Sequence, residues 1–309
     1  MSFLIVSPGR DPKAWIKALE NHHPGLNIYT YPEEHDKEEV EFALAWNHPR
    51  GLFKNYPNLK VIASMGAGVD HITSDSEIPE DITITRVIDD RLTEDMSVFV
   101  MAQVMDRIRD LSLYKEQESE KKWNPVSYHR IEDVKIGIMG MGVMGTAVGK
   151  RLAKNGFPVK GWARSEKEIE GIDTYHGEEG LAEFLEETMI LVCLLPLTPE
   201  TENILDKDIF EKLPKGAYII NVARGEHLVE HDLLEMIDSG HLSGAALDVF
   251  REEPLKEDHP FWEHPRIKVT PHIASMTKAE SVVPQIVENY ERMKENESLK
   301  NVVEREKGY

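Results

Sequence analysis

Three short stretches in the second half of the chain deliver an arginine, an acid and a histidine straight after apolar runs. They are Ala217-Tyr-Ile-Ile-Asn-Val-Ala-Arg224-Gly225, Ala245-Ala-Leu-Asp248-Val-Phe-Arg-Glu-Glu253-Pro254 and Lys268-Val-Thr-Pro271-His272-Ile273. Each apolar run reads as a strand and each reactive residue falls in the turn that follows it. Arg224 is a planar cation suited to a carboxylate. His272 is the side chain best able to give up a proton near neutral pH. A carboxylate such as Glu253 beside that histidine would fix its tautomer and support its protonated form. Together the three suit reduction of a carbonyl that sits next to a carboxylate. One residue alone would say little, since the chain holds 13 histidines and many acids; the joint placement after consecutive strands carries the argument.

Such a reduction needs a hydride donor, and the chain offers a place for one. Val134-Lys-Ile-Gly-Ile-Met139 leads into Gly140-Met141-Gly142-Val143-Met144-Gly145, followed by Thr146-Ala-Val-Gly-Lys-Arg-Leu-Ala-Lys154. A bare G-x-G-x-x-G is a weak signal, but here it follows a strand and opens a helix, as a dinucleotide loop requires. The first glycine would allow the tight turn, the second the close approach of a pyrophosphate, the third close helix–strand packing. An NAD site places an acid about 20 residues further on, for the ribose 2′-hydroxyl. That position falls near Ala163 and is followed by Arg164 and Ser165, a cation and a hydroxyl suited to a 2′-phosphate. NADP is therefore the expected cofactor, with NAD as the weaker alternative.

These residues need strands to present them, and the pattern supplies two series. Phe3–Val6, Asn27–Tyr31, Ala43–Trp46, Val61–Met65 and Ile82–Thr85 read as strands alternating with helical stretches. A long helix is expected from about Thr93 to Ser119. A second series follows, with strands at Lys135–Met139, Val159–Trp162, Ile190–Leu194, Ala217–Asn221, Ala245–Val249 and Lys268–Thr270, and a closing helix runs through Met293. Strands alternating with helices predict doubly wound parallel sheets. The fold class is α/β, with a Rossmann-type dinucleotide domain at 99–277 inserted into a flavodoxin-like substrate domain made of 1–98 and 278–309.

Composition narrows the partners. Lys plus Arg number 36 and Asp plus Glu 56, a formal charge of −20, which disfavours nucleic acid. No run approaches the ~18 apolar residues of a membrane span. The opening residues are expected to form a strand rather than a signal peptide. Cys193 is the single cysteine, so no intrachain disulfide can form and a reducing cytoplasm is the expected compartment. Cys193 lies in an apolar run and reads as core. No His-Glu-x-x-His or cysteine cluster suggests a metal.

The sequence also resembles the D-isomer-specific 2-hydroxyacid dehydrogenase family, on the glycine loop, Leu195-Pro196-Leu-Thr-Pro-Glu-Thr201, Asn221-Val222-Ala223-Arg224-Gly225, Leu247-Asp248-Val-Phe with Glu253-Pro254, and Thr270-Pro-His272-Ile273. These occur in the family's order over essentially the whole chain. It is similar in particular to the bacterial glyoxylate/hydroxypyruvate reductase branch, through Trp46, Met65-Gly-Ala67-Gly68-Val-Asp70, Trp123-Asn-Pro, Tyr128-His-Arg130, Gly161-Trp-Ala-Arg-Ser165 and the terminal Lys-Gly-Tyr309.

The resemblance implies that Arg224 binds a 2-keto acid's carboxylate and polarises its keto group, that His272 is the general acid and that Glu253, rather than Glu252, orients it. It implies cofactor contacts from Val143, Met144, Leu195, Pro196, Thr201, Val222, Ala223 and Asp248, the last near the nicotinamide carboxamide. The backbone of Ala67 and Gly68 would complete the carboxylate site and Trp46 would narrow it to small keto acids. It further implies a homodimer built on the dinucleotide domains, with Trp123 either reaching toward the partner's active site or packing within its own chain. D-Lactate or 3-phosphoglycerate as substrate, and a dinucleotide-sensing binding protein, are the alternative readings.

Overall fold

The computed structural model describes residues 2–305, so the terminal Lys307-Gly308-Tyr309 run lies outside the described residues. The chain divides into two units, Met1–Leu92 with Thr277–Tyr309, and Thr93–Met276.

The first unit is built on β1 (Ser2–Val6), β2 (Asn27–Thr30), β3 (Val40–Ala45), β4 (Val61–Ser64) and β5 (Thr83–Thr85), with α1 (Lys13–His22) after β1 and the short α2 (Asp70–Thr73) after β4. All its ladders are parallel, in the order β2-β1-β3-β4-β5. Parallel strands need crossovers that cover both faces, which is why β1 and β4 are fully buried and apolar but for one terminal serine each. Phe3 of β1 stacks on Phe42 of β3 at 4.9 Å.

A helical stretch then leads out of this unit. α3 (Asp90–Arg109) and α4 (Leu111–Ser119) are two helices where the sequence predicted one. Asp110 between them is left-handed, φ +49°, a conformation aspartate tolerates better than most residues. Ser112, in the first turn of α4, bonds the Asp106 carboxylate through its amide and hydroxyl, at 3.0 and 2.9 Å.

In the second unit β6 (Ile136–Met139), α5 (Val143–Lys154), β7 (Val159–Ala163), β8 (Asp173–His176), α6 (Gly177–Glu186), β9 (Ile190–Cys193), α7 (Lys207–Lys212), β10 (Ala217–Asn221), α8 (Glu230–Asp238), β11 (Leu242–Leu247) and β12 (Ile267–Val269) follow one another. The parallel sheet runs β12-β11-β10-β9-β6-β7-β8, so strand order reverses between β6 and β9. Alternate residues feed the two faces: Leu191 and Cys193 enter one core, Ile190 and Val192 the other. Burial pushes the Cys193 thiol up to about 12, which suits a core residue and not a nucleophile. β8 was absent from the sequence expectation because an edge strand that is half-exposed and polar carries no apolar run.

After the second unit the chain returns to the first as α9 (Ala279–Glu295), whose Tyr290 meets Phe3 and Phe42 edge-on at 6.0 and 5.8 Å.

Candidate active site

The three reactive residues lie beyond the C-terminal ends of β10, β11 and β12, which are neighbours in the sheet. His272 Nδ1 and Glu253 Oε2 are 2.8 Å apart. The other oxygen, Oε1, accepts the Phe250 amide at 3.1 Å, which fixes the carboxylate within its own turn. Desolvation pushes the Glu253 carboxyl up, but the hydrogen bond and charge of His272, the Phe250 amide and the Arg224 guanidinium outweigh it. The carboxyl is therefore held below its ordinary value. An ionised Glu253 accepts from Nδ1–H, leaving Nε2 as the ring atom suited to exchanging a proton with a ligand. Glu252 pairs instead with Lys256 at 2.6 Å on the exposed side of the turn.

His272 itself is left-handed, φ +52°, a strained geometry for a side chain with a Cβ. Asp248, 1% exposed, stabilises it. Its backbone carbonyl accepts the His272 amide at 2.8 Å. Its carboxylate accepts Thr270 Oγ1 at 2.6 Å and the Ile273 and Ala274 amides at 3.0 and 2.8 Å. The carboxylate contacts of Asp248 therefore go to the loop that carries His272, a role the sequence reading did not assign to it.

Arg224 is set by a turn with little freedom. Asn221, fully buried, donates from Nδ2 to the Arg224 carbonyl at 2.9 Å and accepts the Ala223 amide at 3.2 Å. A Cβ at Gly225 would lie 1.9 Å from the Phe250 carbonyl carbon, so only glycine lets this turn pack against the one carrying Glu253. The turn also uses His227, which sequence reasoning passed over. It is fully buried, and its Nδ1 lies 3.2 Å from the Arg224 amide. The i, i+3 spacing from Arg224, like that of a capping box, was the available signal.

The glycine loop sits after β6, at the point where strand order reverses, which is where open α/β sheets take ligands. Gly140 has φ +105°, and a Cβ on it would meet Leu194 backbone at 2.6 Å. A Cβ on Gly145 would fall 1.8 Å from the Gly140 carbonyl oxygen. Around Gly142 nothing lies within 4 Å of such a Cβ, and Gly142 is the N-cap of α5. The loop thus presents free helix amides to open space that a side chain would fill, and this fits a pyrophosphate. Arg164 and Ser165 are exposed just beyond β7. Across from them the loop of Leu195, Pro196 and Thr201 is braced by Thr201 Oγ1, which donates to the Pro196 carbonyl at 2.7 Å and accepts the Thr198 amide at 2.8 Å. The Glu200 carboxyl is held below its ordinary value by the Thr198 hydroxyl and its own amide, with a smaller contribution from the Arg164 charge. Val222 and Ala223 are buried under the Arg224 turn, while Val143 is exposed and Met144 half-buried at the start of α5.

The residues expected from the first unit form their own cluster at the ends of β1, β3 and β4. Trp46 is half-buried between the Arg10 guanidinium, 4.5 Å from its ring, and the His71 ring at 4.6 Å. A Cβ on Gly66 would be 2.8 Å from the Trp46 ring, so the backbone leading to Ala67 and Gly68 lies against it. Ser64 Oγ donates to the Gly68 carbonyl at 2.8 Å.

A family model for the D-isomer specific 2-hydroxyacid dehydrogenase, NAD binding domain, matches residues 101–274. The chain belongs to the D-isomer specific 2-hydroxyacid dehydrogenase family. Across its full length it is 36% identical to glyoxylate/hydroxypyruvate reductase A of Yersinia enterocolitica, with 100% of both chains covered. Among solved structures it is similar to a family member from Xanthobacter autotrophicus Py2 in complex with NADPH and MES, at TM-score 0.95 and 37% identity, covering 100% of this chain and 99% of that one. It is likewise similar to an NADPH-dependent glyoxylate/hydroxypyruvate reductase from Sinorhizobium meliloti in complex with NADP and sulfate, at TM-score 0.94 and 37% identity, with 100% of both covered. Among the described residues no helix is long and apolar enough to cross a membrane.

Proposed function

We propose that the chain reduces glyoxylate and hydroxypyruvate to glycolate and D-glycerate with NADPH. The observation that carries this reading is the 2.8 Å contact of His272 with Glu253, under the influence of the Arg224 charge, on the same sheet edge as the glycine loop. The two solved relatives hold NADPH or NADP, and the names of the reductase relatives give the substrates.

Bound NADPH supplies the hydride. Arg224 holds the keto acid's carboxylate and draws electron density toward the keto oxygen. His272 gives its Nε2 proton to that oxygen as the carbonyl carbon is reduced, and Glu253 steadies the ring throughout. Gly140, Gly142, Val143, Met144 and Gly145 take the pyrophosphate, and Arg164 with Ser165 the 2′-phosphate. Leu195, Pro196, Thr201, Val222, Ala223 and Asp248 line the nicotinamide side. We read Thr93–Met276 as the dinucleotide unit and the other as the substrate unit, where Trp46 limits the size of the acid and the Ala67 and Gly68 amides bind its carboxylate.

We also read the enzyme as a cytoplasmic homodimer built on the dinucleotide unit. Trp123, 98% exposed beyond α4, together with exposed Leu111 and Tyr128, supports a partner surface there. Light scattering that found a monomer at micromolar concentration would remove this part alone.

The test of the activity is the initial rate of NADPH and NADH oxidation with glyoxylate, hydroxypyruvate, pyruvate and 3-phosphohydroxypyruvate. Fast turnover of the first two with NADPH is expected. No turnover of any of them despite dinucleotide binding would favour a sensor.

A further inference from the structure

Resting on the reductase reading, we propose that His227 is a positioning residue that couples the loop of Pro196, on the cofactor side, to the turn of Arg224, on the substrate side. Its ring reaches both. Nε2 lies 3.3 Å from the Pro196 carbonyl oxygen, and Nδ1 lies 3.2 Å from the Arg224 amide nitrogen. A carbonyl can only accept and an amide N–H can only donate, so these two partners select one neutral tautomer, with the proton on Nε2 and the lone pair on Nδ1. The contact of Nδ1 with the Arg224 carbonyl, also 3.2 Å, then needs no bond, because Asn221 already donates to that oxygen.

Capping the short turn at Gly225–His227 explains only half of this arrangement. The bond to Pro196 spans 31 residues and serves no turn. Proline has no amide hydrogen to donate, so the loop is anchored at that point through its carbonyl, which accepts from Thr201 Oγ1 at 2.7 Å as well as from His227. With His227 fully buried, losing it would strand both the carbonyl and the amide away from water. Any ordering of the Pro196 loop by a bound dinucleotide is thereby passed through one rigid ring to the backbone that aims Arg224. The ring binds neither ligand and makes each ligand's binding depend on the other's.

The test is calorimetric titration of the full chain with oxamate, a non-reducible planar anion, with and without saturating NADP+. The readout is the factor by which NADP+ tightens oxamate. In His227→Leu that factor should shrink about fivefold or more, while NADP+ alone binds within about threefold of the wild type. His227→Gln keeps one acceptor and one donor at similar separation and should hold the factor within about twofold of the wild type. His227→Asn can cap Arg224 but is too short to reach Pro196, so it should fail as leucine does. It carries the test should leucine fold poorly. An unchanged factor in His227→Asn, or equal losses in His227→Asn and His227→Gln, would overturn the proposal in favour of simple packing. Wild-type protein that couples the two ligands yet reduces neither glyoxylate nor hydroxypyruvate would sink the reductase reading and leave the coupling result intact.

Discussion

The His272 amide donates to the backbone carbonyl of Asp248 while the Asp248 carboxylate takes the next two amides, at 2.8, 3.0 and 2.8 Å. One buried acid thus holds a histidine in a left-handed conformation that its own Cβ disfavours. The acid sits at the end of one strand and the histidine at the end of the next, so their separation is set by the sheet.

Asp248→Asn keeps the size but offers one acceptor oxygen to the three donors, and turns an NH2 toward an amide. We expect kcat for glyoxylate to fall about 10- to 100-fold, in line with losing support behind a functional histidine. Steady-state kinetics would show this, and a drop confined to KM would contradict it.

Glu253 should set the acid side of the pH profile. Its carboxyl is held below the ordinary value of 4.5, so at that pH Glu253 is mostly charged while an unperturbed glutamate is half protonated. A depressed carboxyl contributes above its ordinary value and loses that contribution only as pH falls through the lower folded one. The acid limb of kcat/KM should therefore lie below 4.5. Glu253→Gln should abolish that acid limb and lower kcat, because the ring loses the carboxylate that fixes its orientation. Glu252→Gln removes only the exposed pair with Lys256 and should leave the profile alone. The opposite behaviour of the two variants would reverse the assignment.

Arg164→Ala should weaken NADPH and spare NADH. Charge-assisted hydrogen bonds to a phosphate contribute about 1.5–3 kcal/mol each, so kcat/KM for NADPH should fall about 10- to 150-fold. An equal effect on both cofactors would place Arg164 outside the 2′-phosphate site.

Gly225→Ala tests the packing of the Arg224 turn. The added methyl would start 1.9 Å from the Phe250 carbonyl carbon and 2.2 Å from the Arg251 nitrogen, backbone atoms rather than a flexible side chain. Thermal unfolding should show a loss of about 1–3 kcal/mol, with activity reduced further because the Arg224 turn must shift. A variant as stable as the wild type would mean the two turns can separate freely.

Much of this was readable beforehand for a physical reason. Strands buried on both faces appear as apolar runs, and Arg224, Glu253 and His272 follow such runs directly. What escaped the sequence depends on partners far along the chain or on polarity. β8 is a half-exposed edge strand without an apolar run. The break at Asp110 has helical sequence on both sides and turns on one residue's dihedral angle. Asp248 finds its carboxylate partners 22 to 26 residues away and His227 one of its two ring partners 31 residues away, and no local pattern reports those contacts.

The first unit is made of two stretches of chain, and this imposes an order on synthesis. Its five strands leave the ribosome early, but α9, whose Val283, Ile286 and Tyr290 are buried, emerges only after the whole of Thr93–Met276. The intervening stretch is continuous in sequence and needs nothing from either side to close its own sheet. During translation the later-made unit can thus be finished first, while the earlier one waits with Phe3 and Phe42 uncovered. Chaperone demand should be concentrated in that interval.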